Sequence, residues 1–362
     1  MMNPKNICVI GAGNAGSALA GDLALAGHRC RLFEFPEYAD NIDPIHNQGG
    51  IQVTGVGQTG FARLEMATTQ ISEAVQSADI IMVATVALAH ERVARELASV
   101  LEEGQIVILW TGSGGTLTFR KVWADLGFDR SVYLAESATL PYSCRRLQGP
   151  GTVNINLVHG PNILLAALPA TDTQAVLNAL EGTYAAVTKP AVSILEPALY
   201  NPNILFHPVG TLLNMGRIEY SRGEFYLYKE GYTPSVWKVL RAMDAERSRL
   251  FETLGYTPYT FDEIFRDCFP LTIEEFCATA SKGPFSMQDR YLTEDIPIGV
   301  TLTISLARKA GVATPTYDTM IHLASLVNDT DFYSSGRNLA RLGLDHLTID
   351  QLDVYLKTGR KP

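Results

Sequence analysis

An α/β domain followed by an all-helical domain is the fold class the sequence predicts, on three observations. In the first half, short apolar runs alternate with stretches of helical period, the pattern of a parallel sheet covered on both faces. A glycine-rich turn, GAGNAG, stands between the first apolar run and the first helix. Beyond Lys189 the strand signal fades and the remaining segments are helical by period. The boundary is placed near residue 188, giving domains 1–188 and 189–362.

The elements run in this order. NICVIGAG is a buried strand running into glycines, and NAGSALAGDLALAGH a helix whose Gly27 suits a C-terminal cap. RCRLFEF is a second strand. GGIQVTGVGQTGFARLEMAT has the alternation and glycines of hairpin strands. ADIIMVATV is another buried strand, followed by the helix LAHERVARELASVL; GQIVILWTG and SVYLAES continue the series. VNINLVHG and NILLAALPA read as two strands with a turn at Gly160–Pro161, and the helix TDTQAVLNALEGTY closes the domain. The second half supplies VWKVLRAMDAERSRLFETLG, TIEEFCATAS, IGVTLTISLARKAG, YDTMIHLASLVN and TIDQLDVYLKTG as helices.

The 362 residues are 46% hydrophobic and 19% charged, an ordinary globular balance with room for two domains. A net charge of −9 without a basic run argues against nucleic acid or an anionic membrane as partner. The five cysteines are scattered and form no CxxC, which argues for reduced thiols and against disulfides or bound metal. No apolar run reaches the roughly 18 residues of a membrane span. Lys5 before ICVIGAGNAGSALAG mimics a secretion signal, but the glycines within it and Asp22 just after it point to the start of a cytoplasmic domain.

GAGNAG spells GxGxxG at Gly11, Gly13 and Gly16, with Ala12, Asn14 and Ala15 between them. The first glycine permits a tight turn, the second lets the backbone approach a pyrophosphate, and the third allows helix and strand to pack closely. The helix N-terminus then offers unpaired N–H groups to phosphate. Glu34 ends the second strand 18 residues after Gly16, suited to the adenosine ribose hydroxyls. No lysine or arginine follows it in EFPEY to hold a 2′-phosphate. The expected cofactor is NAD, with NADP second, on a Rossmann-type domain. Thr85, near the end of the strand ADIIMVATV, is placed at the same site. WTGSGGT, with Gly112, lies where the carboxyl end of the sheet should meet a ligand; a plain strand-to-helix loop fits it equally. His90 reads as a solvated helix-start residue.

NPNILFHPVGTLLNMGRIEY, residues 201–220, raises a separate question. On a helix, Asn203, His207, Gly210 and Asn214 fall within roughly 60° of one another, a polar stripe on an apolar segment. Pro208 disfavours helical geometry at His207 and removes a backbone donor, which suits a kink. Of the seven histidines, His207 is the strongest acid–base candidate, with a satisfied buried histidine as the bland alternative. In QDRYLTEDIPIGV, Arg290, Tyr291, Glu294 and Asp295 stand together before an apolar helix. A carboxylate beside His207 would fix its tautomer, and an arginine would grip a substrate carboxylate. Spacing alone favours a charged helix-entry loop with surface ion pairs.

Together NPNILFHPVGTLLNMGRIE, ESATLPYSCR and RYLTEDIPIGV resemble the opine dehydrogenase family, of the octopine/nopaline type, over nearly the whole chain. NPNxxxHP with the later RYxxED separates it from the glycerol-3-phosphate, ketopantoate and 6-phosphogluconate enzymes, whose sites centre on lysine. The resemblance implies a helical second domain like that of 6-phosphogluconate dehydrogenase. It implies His207 and Asp295 as catalytic, Arg290 as carboxylate anchor and Asn203 as substrate-binding or orienting. It further implies that an amino acid condenses with a 2-oxo acid, commonly pyruvate, and that the imine is reduced to a secondary amine dicarboxylate. Glu136, Thr139, Tyr142 and Cys144, in ESATLPYSCR, are placed at the substrate cleft, with loop scaffold as the alternative. Two other readings fit the residues: a dehydrogenase reducing a simple 2-oxo acid, and a non-catalytic NAD-binding regulator. A homodimer through the helical domain is a further expectation.

Overall fold

The computed structural model describes residues 4–184, 188–278 and 282–360. It divides into two compact units, Met1–Pro197 with Lys357–Gly359, and Ala198–Leu356 with Arg360–Pro362. The division at Pro197 falls later than residue 188, because Thr188–Pro190 pairs parallel with Ile163–Ala167 and extends the first unit's sheet.

The strands of the first unit are β1 (Asn6–Ile10), β2 (Arg29–Phe33), β3 (Gly50–Gly55), β4 (Gly60–Arg63), β5 (Met66–Thr68), β6 (Ile80–Val83), β7 (Ile106–Leu109), β8 (Tyr133–Ser137), β9 (Tyr142–Arg146), β10 (Thr152–Val158), β11 (Ile163–Ala167) and β12 (Thr188–Pro190). Its helices are α1 (Asn14–Leu25), α2 (Ala39–Gln48), α3 (Ile71–Val75), α4 (His90–Val100), α5 (Gly115–Asp125) and α6 (Thr173–Ala179). Eight strands form one sheet in the order β12-β11-β8-β7-β6-β1-β2-β5, parallel except at β11–β8. The other four form a second sheet, β4-β3-β10-β9. The expected hairpin is β3–β4. VNINLVHG and NILLAALPA are strands as expected, but β10 and β11 belong to different sheets.

The second sheet explains the apolar first helix. The helix α1 is buried from Gly16 to Gly21 and at Leu23, as a helix apolar all round must be. On one side a Cβ at Gly16 would stand 1.7 Å from the Gly11 carbonyl oxygen. On the other, a Cβ at Gly21 would stand 2.6 Å from Val53 of β3. The helix that mimics a secretion signal is thus packed from two sides.

In the second unit the helices are α7 (Leu195–Tyr200), which spans the division, α8 (Asn203–Leu212), α9 (Met215–Ser221), α10 (Pro234–Thr253), α11 (Phe261–Cys268), α12 (Ile273–Ala278), α13 (Arg290–Thr293), α14 (Thr301–Ala310), α15 (Pro315–Val327), α16 (Phe332–Ser335) and α17 (Ile349–Thr358). Two π-turns, Leu227–Gly231 and Ile296–Val300, interrupt them. The last three residues of TIEEFCATAS lie outside the described residues. An aromatic core centres on Phe206, with Tyr232, Tyr228 and Phe261 rings 4.5, 4.7 and 5.2 Å away. Buried carboxylates cap helix starts: Glu246 accepts from the Thr316 and Tyr317 N–H groups, and Asp244 from that of Phe261. Among the described residues no helix is long and apolar enough to cross a membrane.

His159 makes a pH-dependent contribution. It is buried, with Nδ1 2.5 Å from the Leu140 carbonyl and Nε2 3.0 Å from Ser143 Oγ. Burial pushes its pKa down to about 4, against a hydrogen bond to Leu140 that raises it. Between pH 6.5 and about 4 the unfolded chain binds a proton here that the folded chain does not, so stability falls as pH falls. Across that window His159 should remove about 3 kcal/mol. Urea titrations of the wild type and His159→Gln at pH 7 and pH 4.5 should show a smaller pH difference for the variant.

Candidate active site

The helix α8 answers the question its sequence raises. It stays helical through Pro208. Each position of the polar stripe has a separate use. At Gly210 a Cβ would stand 2.8 Å from Leu227 and Tyr232 side-chain atoms, so the π-turn Leu227–Gly231 packs directly on the helix. Asn214 fastens that turn by donating to the Gly210 and Gly231 carbonyls at 2.7 and 3.0 Å. The half-buried Asn203 side-chain amide has no hydrogen-bond partner among the described residues.

His207 is held from three sides. Its Nδ1 lies 2.8 Å from Asp295 Oδ2, across 88 positions of sequence, and its Nε2 lies 2.9 Å from the Tyr228 hydroxyl. With Asp295 accepting, the proton sits on Nδ1 and Nε2 carries the lone pair. Tyr291 stacks on the imidazole, centroids 3.7 Å apart and planes within 6°. The imidazole is 5% exposed and the Asp295 carboxylate 13%. Burial holds the Tyr228 phenol well above its usual pKa, so the hydroxyl keeps its proton. One backbone approach makes the geometry possible: a Cβ at Gly299 would stand 2.2 Å from Ile204 Cγ2. The π-turn that begins just after Asp295 can therefore lie against α8.

Arg290 begins α13, with its side chain 62% exposed and Nη1 3.5 Å from Glu294. Its guanidinium carbon lies 5.6 Å from the Tyr291 ring centre. Arg290, Tyr291 and Asp295 thus share one short segment facing His207. Sequence reasoning missed Tyr228; YLYKEG, which holds it, carries no periodic signal.

In the first unit the glycine-rich turn fits a dinucleotide. Gly11 takes φ +99°, and a Cβ on Gly13 would meet nothing within 4 Å. No side chain caps α1, whose first-turn N–H groups have no partner within the helix. The Thr85 hydroxyl, beside Gly11, is buried without a hydrogen-bond partner among the described residues. In the loop after β7, Thr111 and Ser113 hold φ +70° and +46°, strain of the kind that collects at functional sites.

Several assigned residues serve the scaffold instead. Glu34 is 5% exposed, and its oxygens accept from the Ala12 and Phe35 N–H groups at 2.9 Å, so it braces the turn. Glu136 is fully buried and accepts from Gly114 N, Thr116 N and Thr116 Oγ1, at 2.7–2.9 Å, at the start of α5. Gly112 is needed for that packing, since a Cβ there would stand 2.3 Å from the Glu136 Cβ. The buried Tyr142 donates to Asp22 of α1 and lies 2.6 Å from the Tyr184 hydroxyl. Thr139 is buried, and its carbonyl accepts from Ser137 Oγ. Cys144 is half-buried with Sγ 3.4 Å from the Asn14 carbonyl, and burial pushes its thiol up to about 12. His90 is buried against Gly115 and Phe119, not solvated.

Residues 190–328 match the family model for the alpha-helical domain of NAD/NADP octopine/nopaline dehydrogenase. Residues 6–114 match the N-terminus of NAD-dependent glycerol-3-phosphate dehydrogenase. The chain is 34% identical to the opine dehydrogenase of Arthrobacter sp. (strain 1C), over 96% of this chain and 98% of that protein. The chain belongs to the opine dehydrogenase family. The same fold appears in an octopine dehydrogenase complex with NADH and pyruvate, at TM-score 0.73 and 20% identity over 98% of both chains. It also appears in NADP+-bound yersinopine dehydrogenase, at TM-score 0.71 and 17% identity over 99% of both chains. The glycerol-3-phosphate resemblance is confined to the nucleotide-binding half; the helical half is of the opine dehydrogenase kind.

Gly299→Ala tests the backbone approach that seats Asp295. The added methyl should displace the π-turn from Ile204 and lower kcat by about tenfold or more. NADH affinity, measured by fluorescence titration, should not change.

Proposed function

We propose that this chain is an NAD(H)-dependent opine dehydrogenase in which His207 and Asp295 form the acid–base pair and Arg290 anchors a substrate carboxylate. The observation that carries the assignment is the contact between His207 and Asp295, with the exposed Arg290 on the adjoining segment. Cofactor binding alone requires none of the three. The reaction condenses the amine of an amino acid with a 2-oxo acid, releases water, and reduces the imine to a secondary amine dicarboxylate. The octopine dehydrogenase structures include complexes with NADH and pyruvate and with NADH and L-arginine, and pyruvate is the oxo acid we assign here.

The chain's own groups divide the work. Arg290 takes the oxo-acid carboxylate through two parallel hydrogen bonds. His207 exchanges the proton at Nε2, because Nδ1 is committed to Asp295. As the protonated ring, it supplies the proton that lets water leave when the imine forms. Asp295 is the counter-ion of that ring and fixes its tautomer. The Tyr228 hydroxyl holds Nε2 in the free enzyme and lies on the proton's path. Asn203, one helical turn from His207, turns its unpartnered amide to the substrate. NAD is held at the Gly11–Gly16 turn and, when bound, supplies or accepts the hydride. In the oxidative direction His207 acts as base.

Two readings compete with this one. A simple 2-oxo acid reductase would consume NADH with pyruvate and no amino acid, giving a hydroxy acid. A non-catalytic regulator would bind NADH without turnover. An NADH-oxidation screen crossing 2-oxo acids with the common amino acids, with chromatography of the product, should show consumption only with both substrates. His207→Ala should lose at least about a hundredfold in kcat while binding NADH normally; persisting activity would sink the mechanism. Arg290→Gln should raise KM for the oxo acid about tenfold or more and leave NADH affinity alone.

A further inference from the structure

A cation stands over the glycine-rich turn that no sequence neighbour of Glu34 supplies. Arg146 ends β9, in the second sheet of the first unit. Its Nη1 donates to the Ala12 carbonyl at 3.2 Å and to Asn41 Oδ1 at 2.6 Å. Its backbone N–H donates to Asn14 Oδ1 at 2.8 Å. With the Cys144–Asn14 contact, these bonds tie β9 to the turn at Ala12 and Asn14, either side of Gly13. The position where a Cβ on Gly13 would stand is open.

The charge arrangement is specific. Glu34, the acid that should discriminate against a 2′-phosphate, has both oxygens turned to backbone N–H groups. Asn41 bridges the two charges, its amide 3.4 Å from Glu34 Oε2 and its carbonyl on Arg146. A guanidinium has five N–H donors, and Arg146 uses only Nη1; Nε and Nη2 have no partner among the described residues. Arg92, the other cation near this strand end, is already paired with Glu37 and lies over the Phe35 ring at 3.8 Å.

We propose that Arg146 is a cofactor-binding residue whose free N–H groups take a phosphate of the bound dinucleotide at the mouth of the Gly11–Gly16 turn. The proposal rests on the reading of that turn as the nicotinamide dinucleotide site. Two phosphates have the required chemistry, the pyrophosphate common to NADH and NADPH and the 2′-phosphate of NADPH alone. A fork of charge-assisted donors serves either.

Fluorescence titration of the wild type, Arg146→Gln and Arg146→Lys with NADH and NADPH, at two salt concentrations, tests this. A pyrophosphate contact should weaken both dinucleotides about ten- to hundredfold in the glutamine variant. A 2′-phosphate contact should weaken NADPH by that factor and leave NADH unchanged. In either case the salt dependence of the affected cofactor should flatten in the glutamine variant and persist in the lysine variant. Unchanged affinities for both dinucleotides in both variants overturn the proposal. Equal losses in Gln and Lys, with salt dependence as in the wild type, also overturn it and assign Arg146 to bracing the turn. If the wild type binds neither dinucleotide, the reading of the turn has failed instead. Thermal melts alongside separate misfolding from lost binding; should the glutamine variant not fold, the lysine variant's retained salt dependence or its loss decides.

Discussion

At Gly299 not even one added methyl fits between the turn just after Asp295 and Ile204 of α8, and the contact of His207 with Asp295 depends on that close approach. Hydrogen bonds hold a histidine and a carboxylate once they are close, but they do not bring together residues 88 positions apart. Backbone packing does. Gly299 admits Ile204, and Gly210 admits Leu227 and Tyr232. The two π-turns thereby reach α8 at the level of His207, one bringing Asp295 and the other Tyr228. π-Turns recur at functional sites because the extra residue re-aims the neighbouring side chains. The first unit uses the same device at Gly16, where helix and strand touch without a methyl between them.

Much of this was legible in the sequence, for physical reasons. The strand–glycine turn–helix unit has local signals, and its geometry comes from steric limits at each glycine. The polar stripe on α8 was visible because 3.6-residue periodicity is a short-range property. Pairing His207 with Asp295 came from the resemblance, since spacing alone favoured a charged helix-entry loop. The contacts found only in the structure are long-range. Tyr228 lies on a π-turn without a repeat. The second sheet pairs β3 with β10 across about a hundred residues, and nothing in either strand names its partner. Arg146 reaches the turn by that sheet, so an absence of cations after Glu34 in sequence did not mean an absence in space.

The two carboxylates that the sequence placed at ligand sites share one arrangement. Glu34 follows the last residue of β2 and Glu136 is the last but one of β8, at the carboxyl ends of the strands, which is where sequence reasoning looks for ligand contacts. Both were captured by backbone donors, Glu34 by the turn and Glu136 by the start of α5. A buried carboxylate that satisfies several N–H groups stabilises a loop that would otherwise carry orphaned donors. The loop after β7, with two non-glycine residues at positive φ, is held in its conformation by Glu136. Both carboxylates thereby hold the shape of the loops.

The stack of Tyr291 on His207 limits what the imidazole can do. With a parallel ring 3.7 Å from its face and an acceptor fixed on Nδ1, the ring cannot turn over or tilt. It has one edge for exchange and one direction along which a proton travels. The rotational freedom that a histidine on a surface would surrender at every encounter with substrate has been given up once, when the chain folds. The entropy of aligning the imidazole is therefore a cost of folding and not of any later encounter.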